Sequence, residues 1–275
     1  MIVMRLFQII PTENLIKKLF LGLLCAVLFS SFVMKSACSA ALKAQSTQLA
    51  PSILLIGDSH TFGSFGRKED ALLRQLTGYR VITYGVCGSS PHNWFLGLTT
   101  NCGYVFKDEN ALEQRSLVGE NPSIAELVGQ YHPDYILIAL GANMYGAGAE
   151  WVKISSGELA LAAVYAKSKC IWIGPPQARI QPEPAFGQLY EALSSTVTPY
   201  CEFIDSRKYT HYPDTEGDGI HFDTFGQAGV EIAESWAISV FDEIKPFIAP
   251  IKIAPVNKSK RKIPAKSLRS LDKIN

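Results

Sequence analysis

Five short apolar runs punctuate the middle of the chain, at residues 52–56, 80–84, 135–140, 170–173 and 201–204. Between them lie stretches whose apolar residues fall at helical spacing. One is 71–76, closed by Gly78. A second is 123–128, with Asn121 as its cap, Pro122 at its first position and Pro133 as its stop. Residues 156–168, 185–197 and 225–245 complete the set. Apolar runs of this length suit strands buried on both faces, so the alternation predicts a parallel sheet with helices on each side. In such sheets ligands bind at the carboxyl ends of the strands. Residues 89–119 form a long insertion between the second strand and its crossover helix, the length expected of a lid or binding loop. No internal repeat is visible.

The two ends of the 275-residue chain depart from this pattern. Lys17 and Lys18 precede an apolar run at 19–34, followed by small residues at 36–41. That order of charged, apolar and small residues is a secretory signal, with cleavage near Ala40 or Ala41. The run is short for a membrane-spanning helix. Two alternatives stay open. One is an uncleaved anchor, since Ile9, Ile10, Leu15 and Ile16 extend the apolar character. The other is lipidation of Cys38, against which Lys35 speaks. The expected organisation is a signal or anchor at 1–40, a linker at 41–50, one folded domain at 51–248 and a basic, disordered tail at 249–275.

Charge divides along the same lines. Residues 250–275 carry eight Lys/Arg against Asp272 alone, whereas residues 41–249 carry 14 basic and 23 acidic residues. An acidic body is a poor partner for nucleic acid. The tail is expected to meet an anionic envelope surface, or else to be a solvated end. Four cysteines remain beyond residue 40, and an even count in an exported chain predicts two disulfides. The favoured pairs are Cys87–Cys102, which brackets a Gly/Ser/Pro-rich loop, and Cys170–Cys201, which joins the starts of two strands.

Four segments carry candidate chemistry. Gly57-Asp58-Ser59 follows the first strand, where a serine is held at the sheet's carboxyl edge; an ordinary helix cap is the alternative. Gly88 follows the second strand and can present its N–H without a side chain in the way. Asn143, in Gly141-Ala142-Asn143-Met144, follows the third and can donate to an oxyanion or merely cap a turn. In Asp218-Gly219-Ile220-His221 the carboxylate can fix the imidazole tautomer and leave the other nitrogen as a base. A rival reading gathers His211, Asp214, Asp218, His221 and Asp223 into a metal site.

Taken together and in this order, the four segments resemble the SGNH hydrolases, the GDSL-type esterases and lipases. The resemblance covers about residues 51–245. It implies a three-layer α/β/α sandwich with a five-stranded parallel sheet. It implies Ser59 as nucleophile, His221 as base and Asp218 as its orienter. The oxyanion hole would be the Ser59 and Gly88 N–H groups and the Asn143 amide, with no metal and no cofactor. Met144 stands where the family often has Asp, which opens the question of what orients Asn143. The expected reaction is ester hydrolysis through an acyl-enzyme, on a short acyl group of a carbohydrate or envelope polymer. The alternatives are a lysophospholipase, a thioesterase or a non-catalytic envelope-binding protein. Trp94, Phe95, Tyr145 and Trp151 follow the catalytic loops and could stack on sugar rings or pack as loop core.

Overall fold

The computed structural model describes residues 50–248. The expected signal or anchor, Cys38, most of the linker and the basic tail lie outside the described residues.

Seven strands form one sheet: β1 (Ser52–Gly57), β2 (Arg80–Val86), β3 (Tyr104–Lys107), β4 (Glu113–Ser116), β5 (Tyr135–Ala139), β6 (Lys169–Ile173) and β7 (Cys201–Ile204), in the order β4-β3-β2-β1-β5-β6-β7. The five strands read from the sequence run parallel. β3 and β4 extend that sheet antiparallel from β2, so the count rises from five to seven.

Both faces are covered, as strands buried throughout demand. Leu54, Ile56, Ile136 and Ile138 point to one face, where they meet helices α3 (Pro91–Leu96), α4 (Ile124–Tyr131), α5 (Ala149–Tyr165) and α6 (Ala185–Val197). Ile53, Leu55, Tyr135 and Leu137 point to the other, toward α2 (Ser64–Leu73) and α7 (Gly226–Ile244). This is the alternation that a two-residue period imposes on a strand. Phe65 of α2 stacks on Trp236 of α7 at 3.7 Å between ring centroids, and both are fully buried.

The insertion at 89–119 is not an open loop. It supplies α3 and the β3–β4 hairpin, and Tyr104 and Phe106 pack their rings on Tyr84 at 5.5 and 5.2 Å. β4 reads Glu-Gln-Arg-Ser, with no apolar residue to announce a strand. Its charges suit an exposed sheet edge. The cap of α4 also differs from expectation. Ser123 is the N-cap, in a reciprocal capping box with Glu126, and Asn121 lies two residues earlier.

Two disulfides fix local geometry. Cys170 and Cys201 face each other in the β6–β7 register, with Cα atoms 4.5 Å apart. Cys87–Cys102 ties the end of β2 to the start of the hairpin, with Cα atoms 5.1 Å apart.

Glu69 of α2 is completely buried, and neither carboxyl oxygen has a hydrogen-bond partner. Burial pushes its pKa well above the ordinary 4.5. A raised acid stabilises the fold fully below its unfolded pKa and loses that contribution as pH climbs toward the folded value. Glu69→Gln is therefore expected to gain stability over the natural chain as pH rises above 4.5, by about 1.4 kcal/mol per unit until the folded pKa is reached. Melting curves between pH 5 and 9 check this, and a gap that stays constant with pH would contradict it.

Candidate active site

β1 ends at a point so closely approached by its neighbours that a side chain does not fit. A Cβ on Gly57 would stand 2.0 Å from Thr61 Oγ1 and 2.7 Å from the Ala139 carbonyl. The chain then enters a one-turn helix, α1 (Ser59–Phe62), with Asp58 as its cap. The Asp58 carboxylate accepts the His60 N–H at 3.0 Å, which fixes the first turn of the chain after β1. Burial pushes the Asp58 carboxyl up to about 7. His60, beneath His221 at 5.4 Å between ring centroids, is pulled down to about 3 by the same desolvation and stays neutral.

Ser59, His221 and Asp218 meet in one line. His221 Nε2 lies 2.8 Å from Ser59 Oγ, and His221 Nδ1 lies 2.6 Å from Asp218 Oδ2. A carboxylate can only accept, so Nδ1 carries the proton and Nε2 is left to accept from the serine. Burial alone would raise the Asp218 carboxyl. The bond from the His221 side chain and the N–H groups of His221 and Ile220 outweigh it and hold the group well below the usual range.

The Asp218–His221 turn is itself braced. Tyr212 Oη accepts the Gly219 N–H at 3.0 Å and reaches Asp218 Oδ1 at 3.3 Å and the His221 carbonyl at 3.2 Å. Thr224 Oγ1 accepts the Asp218 N–H at 3.0 Å and donates to the His221 carbonyl at 2.6 Å. Arg179, in the segment after β6, donates to the carbonyls of Pro213, Glu216 and Gly217. Sequence reading did not find Tyr212, Thr224 or Arg179. Each acts on backbone atoms of a distant or irregular segment, and no periodicity or motif marks them.

Gly88 lies at the end of β2 with φ +76, a conformation that favours glycine. Asn143 sits in the turn after β5, and its Nδ2 donates to the Ser89 carbonyl at 2.9 Å. This answers the question that Met144 raised. The Ser89 carbonyl orients the Asn143 amide, while Met144 is buried in the core beside Ser155. Ser89 Oγ in turn reaches the Gly57 carbonyl at 3.4 Å. The segments bearing Ser59, Gly88 and Asn143 are thus linked through one buried serine.

The aromatic residues divide. Trp94 is not available to a substrate: it is fully buried, and its indole N–H donates to Ser89 Oγ at 2.9 Å. Its place is under the Gly88 segment, as part of the core. Tyr145 is largely inside as well, with its hydroxyl donating to the Pro176 carbonyl at 2.7 Å. Trp151 is exposed and lies edge-on to His92 at 4.9 Å. The rival metal cluster does not assemble. Asp223 accepts the Ser64 N–H, Asp218 holds His221, and no group of three or more metal-binding side chains comes together among the described residues.

The fold has counterparts of known structure. A crystal structure of TesA superposes with a TM-score of 0.51 over 72% of this chain and 99% of its own, at 14% sequence identity. The chain has the SGNH-hydrolase fold. A catalytic mutant of Axe2, an acetylxylan esterase from Geobacillus stearothermophilus, gives a TM-score of 0.47 at 16% identity, over 70% of this chain and 94% of its own. In sequence, the SGNH-fold chain is 28% identical over 225 residues to protein BcsX of Komagataeibacter xylinus, covering 74% of this chain and 80% of that protein. No protein-family model matches it.

Proposed function

We propose that this protein is an exported serine esterase that hydrolyses carboxylic esters through an acyl-enzyme, acting on a short acyl group carried by a carbohydrate or envelope polymer. The observation that carries the reading is the unbroken path Ser59–His221–Asp218, with distances of 2.8 and 2.6 Å, at the carboxyl edge of the sheet. His221 Nε2 takes the Ser59 proton as Oγ attacks the ester carbonyl. The Ser59 and Gly88 N–H groups and the second Asn143 amide hydrogen stabilise the oxyanion. His221 then protonates the leaving alcohol, and water repeats the cycle on the acyl-enzyme. Asp218 holds the tautomer throughout and stabilises the imidazolium.

Export is supported by the paired cysteines and the signal-like segment at 1–40. A second reading, as a lysophospholipase or thioesterase, draws on exposed apolar residues of the insertion, Leu96, Leu98, Leu117 and Val118. Turnover of p-nitrophenyl acetate, butyrate and palmitate separates the two. Acetate is expected to be fastest, and a preference for palmitate would favour the second reading.

The Asn143 amide donates at the oxyanion, so Asn143→Ala is expected to lower kcat by about 10²–10³ with little change in KM. Steady-state kinetics on p-nitrophenyl acetate read this out. A rise in KM at unchanged kcat would assign Asn143 to substrate binding instead.

A further inference from the structure

We propose that the cleft between the segment after β6 and the segment leading to His221 binds a single uncharged sugar ring, at a site separate from Ser59. The cleft encloses about 270 Å³, just under the roughly 300 Å³ at which small-molecule sites begin. That is room for one ring, not for a chain. Its walls are cross-braced without any ligand. Thr210 Oγ1 accepts the Gln177 N–H at 2.9 Å, and Gln177 Oε1 accepts the Tyr212 N–H at 3.2 Å. The Ile180 N–H reaches the Gly219 carbonyl at 3.3 Å, and the three bonds from Arg179 pin Pro213, Glu216 and Gly217. A cleft built this way spends little binding free energy on ordering itself.

Gln181 carries the inference. Its side chain lines the cleft and is 8% exposed, and its carboxamide, not sealed in the core, makes no hydrogen bond to another described residue. That amide is therefore open to a ligand in the cleft, which can pair with it directly. An amide both donates and accepts, which is also what a sugar hydroxyl does. The rim adds Glu183, Asp214 and His211, and the buried ring of Phe186 adds an apolar wall. Glu183 uses one carboxylate oxygen on the Gly187 N–H at 3.0 Å and keeps the other. Carboxylates accept from hydroxyl groups and repel anions, and Arg179 is already committed to three carbonyls. An acyl chain would leave Gln181 unpaired, and a phosphate or uronate would meet Glu183 and Asp214. An uncharged polyhydroxylated ring satisfies the whole set.

The wall at 213–217 runs directly into Asp218 and His221. A sugar held there would sit beside the proposed reaction centre. Its service as a subsite for an acylated glycan rests on the esterase reading, but sugar binding itself does not. The test uses the full chain with Ser59→Ala, titrated with glucose, galactose, xylose and N-acetylglucosamine, with glucuronate as the anionic counterpart of glucose. Amide chemical shifts report the site. At least one neutral sugar is expected to shift the amides of 177–183 and 211–214, and glucuronate to bind more weakly than glucose. Gln181→Leu is expected to weaken that Kd about tenfold. Asp214→Ala, at an exposed position that does not threaten folding, should weaken it about threefold. The proposal is overturned if no neutral sugar moves these amides, if both variants bind like their parent, or if glucuronate binds as tightly as glucose. Hydrolysis of p-nitrophenyl acetate by the natural chain is measured separately. Its absence would end the esterase reading and leave the sugar titration intact.

Discussion

Ser59→Ala is expected to abolish ester hydrolysis, with kcat falling by about 10⁶-fold, while the protein keeps its fold. The loss is large because no second hydroxyl stands at the same point. Ser59 Oγ alone lies within reach of His221 Nε2 among the described residues, at 2.8 Å. The fold is expected to survive because the change removes one partly buried hydroxyl at the first position of α1, where alanine is compatible with a helix. The lost hydrogen bond is worth about 1 kcal/mol. His221 keeps its bond to Asp218, so the neighbouring turn stays in place. Turnover of p-nitrophenyl acetate and a melting curve on the same sample check both halves. A well-folded variant within tenfold of the natural rate would remove Ser59 from the chemistry.

The second large effect is expected from Asp218→Asn, a fall in kcat of about 10⁴-fold. Asparagine keeps the shape, and its oxygen can still accept the N–H groups of Ile220 and His221, which now reach Asp218 Oδ1 at 2.9 and 2.7 Å. The amide nitrogen, however, would stand where Oδ2 stands, 2.6 Å from His221 Nδ1. A donor there favours the tautomer protonated on Nε2, which cannot accept the Ser59 proton. Some stability is expected to be lost, because the ionised carboxylate that the fold holds below its usual range is removed, but Tyr212 and Thr224 still hold the backbone of the turn, so the variant is expected to fold. A variant that loses activity only in proportion to a loss of folded protein would show Asp218 to be structural.

The sequence disclosed the parts of the protein that obey simple periodicity. The buried strands of the central sheet and the helices at 185–197 and 225–245 are legible because each buries a face, and burial leaves a pattern of apolar spacing. The segments bearing Ser59, Gly88, Asn143 and Asp218–His221 are legible because each needs a particular residue type at the end of a strand or in a turn. β4 was hidden for a physical reason. β4 lies at the sheet edge, all but Ser116 are exposed, and it carries no apolar face to read. The place of Trp94 stayed open between substrate and core because proximity in sequence to the Gly88 segment does not say whether a ring turns outward or inward. The bracing by Tyr212, Arg179 and Ser89 was invisible because it runs from side chains to backbone carbonyls and N–H groups of other segments. Those are contacts that the topology creates and that no local pattern records. The Ser89 carbonyl, which orients the Asn143 amide, is the clearest case, since any residue at position 89 would offer one.

Activation of Ser59 by His221 is open to a chemical test, labelling with a fluorophosphonate followed by peptide mass mapping. One adduct per chain is expected, on the peptide containing Ser59, formed in step with the loss of esterase activity and nearly absent in His221→Ala. An active protein that takes no label, or that carries it on any residue other than Ser59, would show that Ser59 is not the nucleophile.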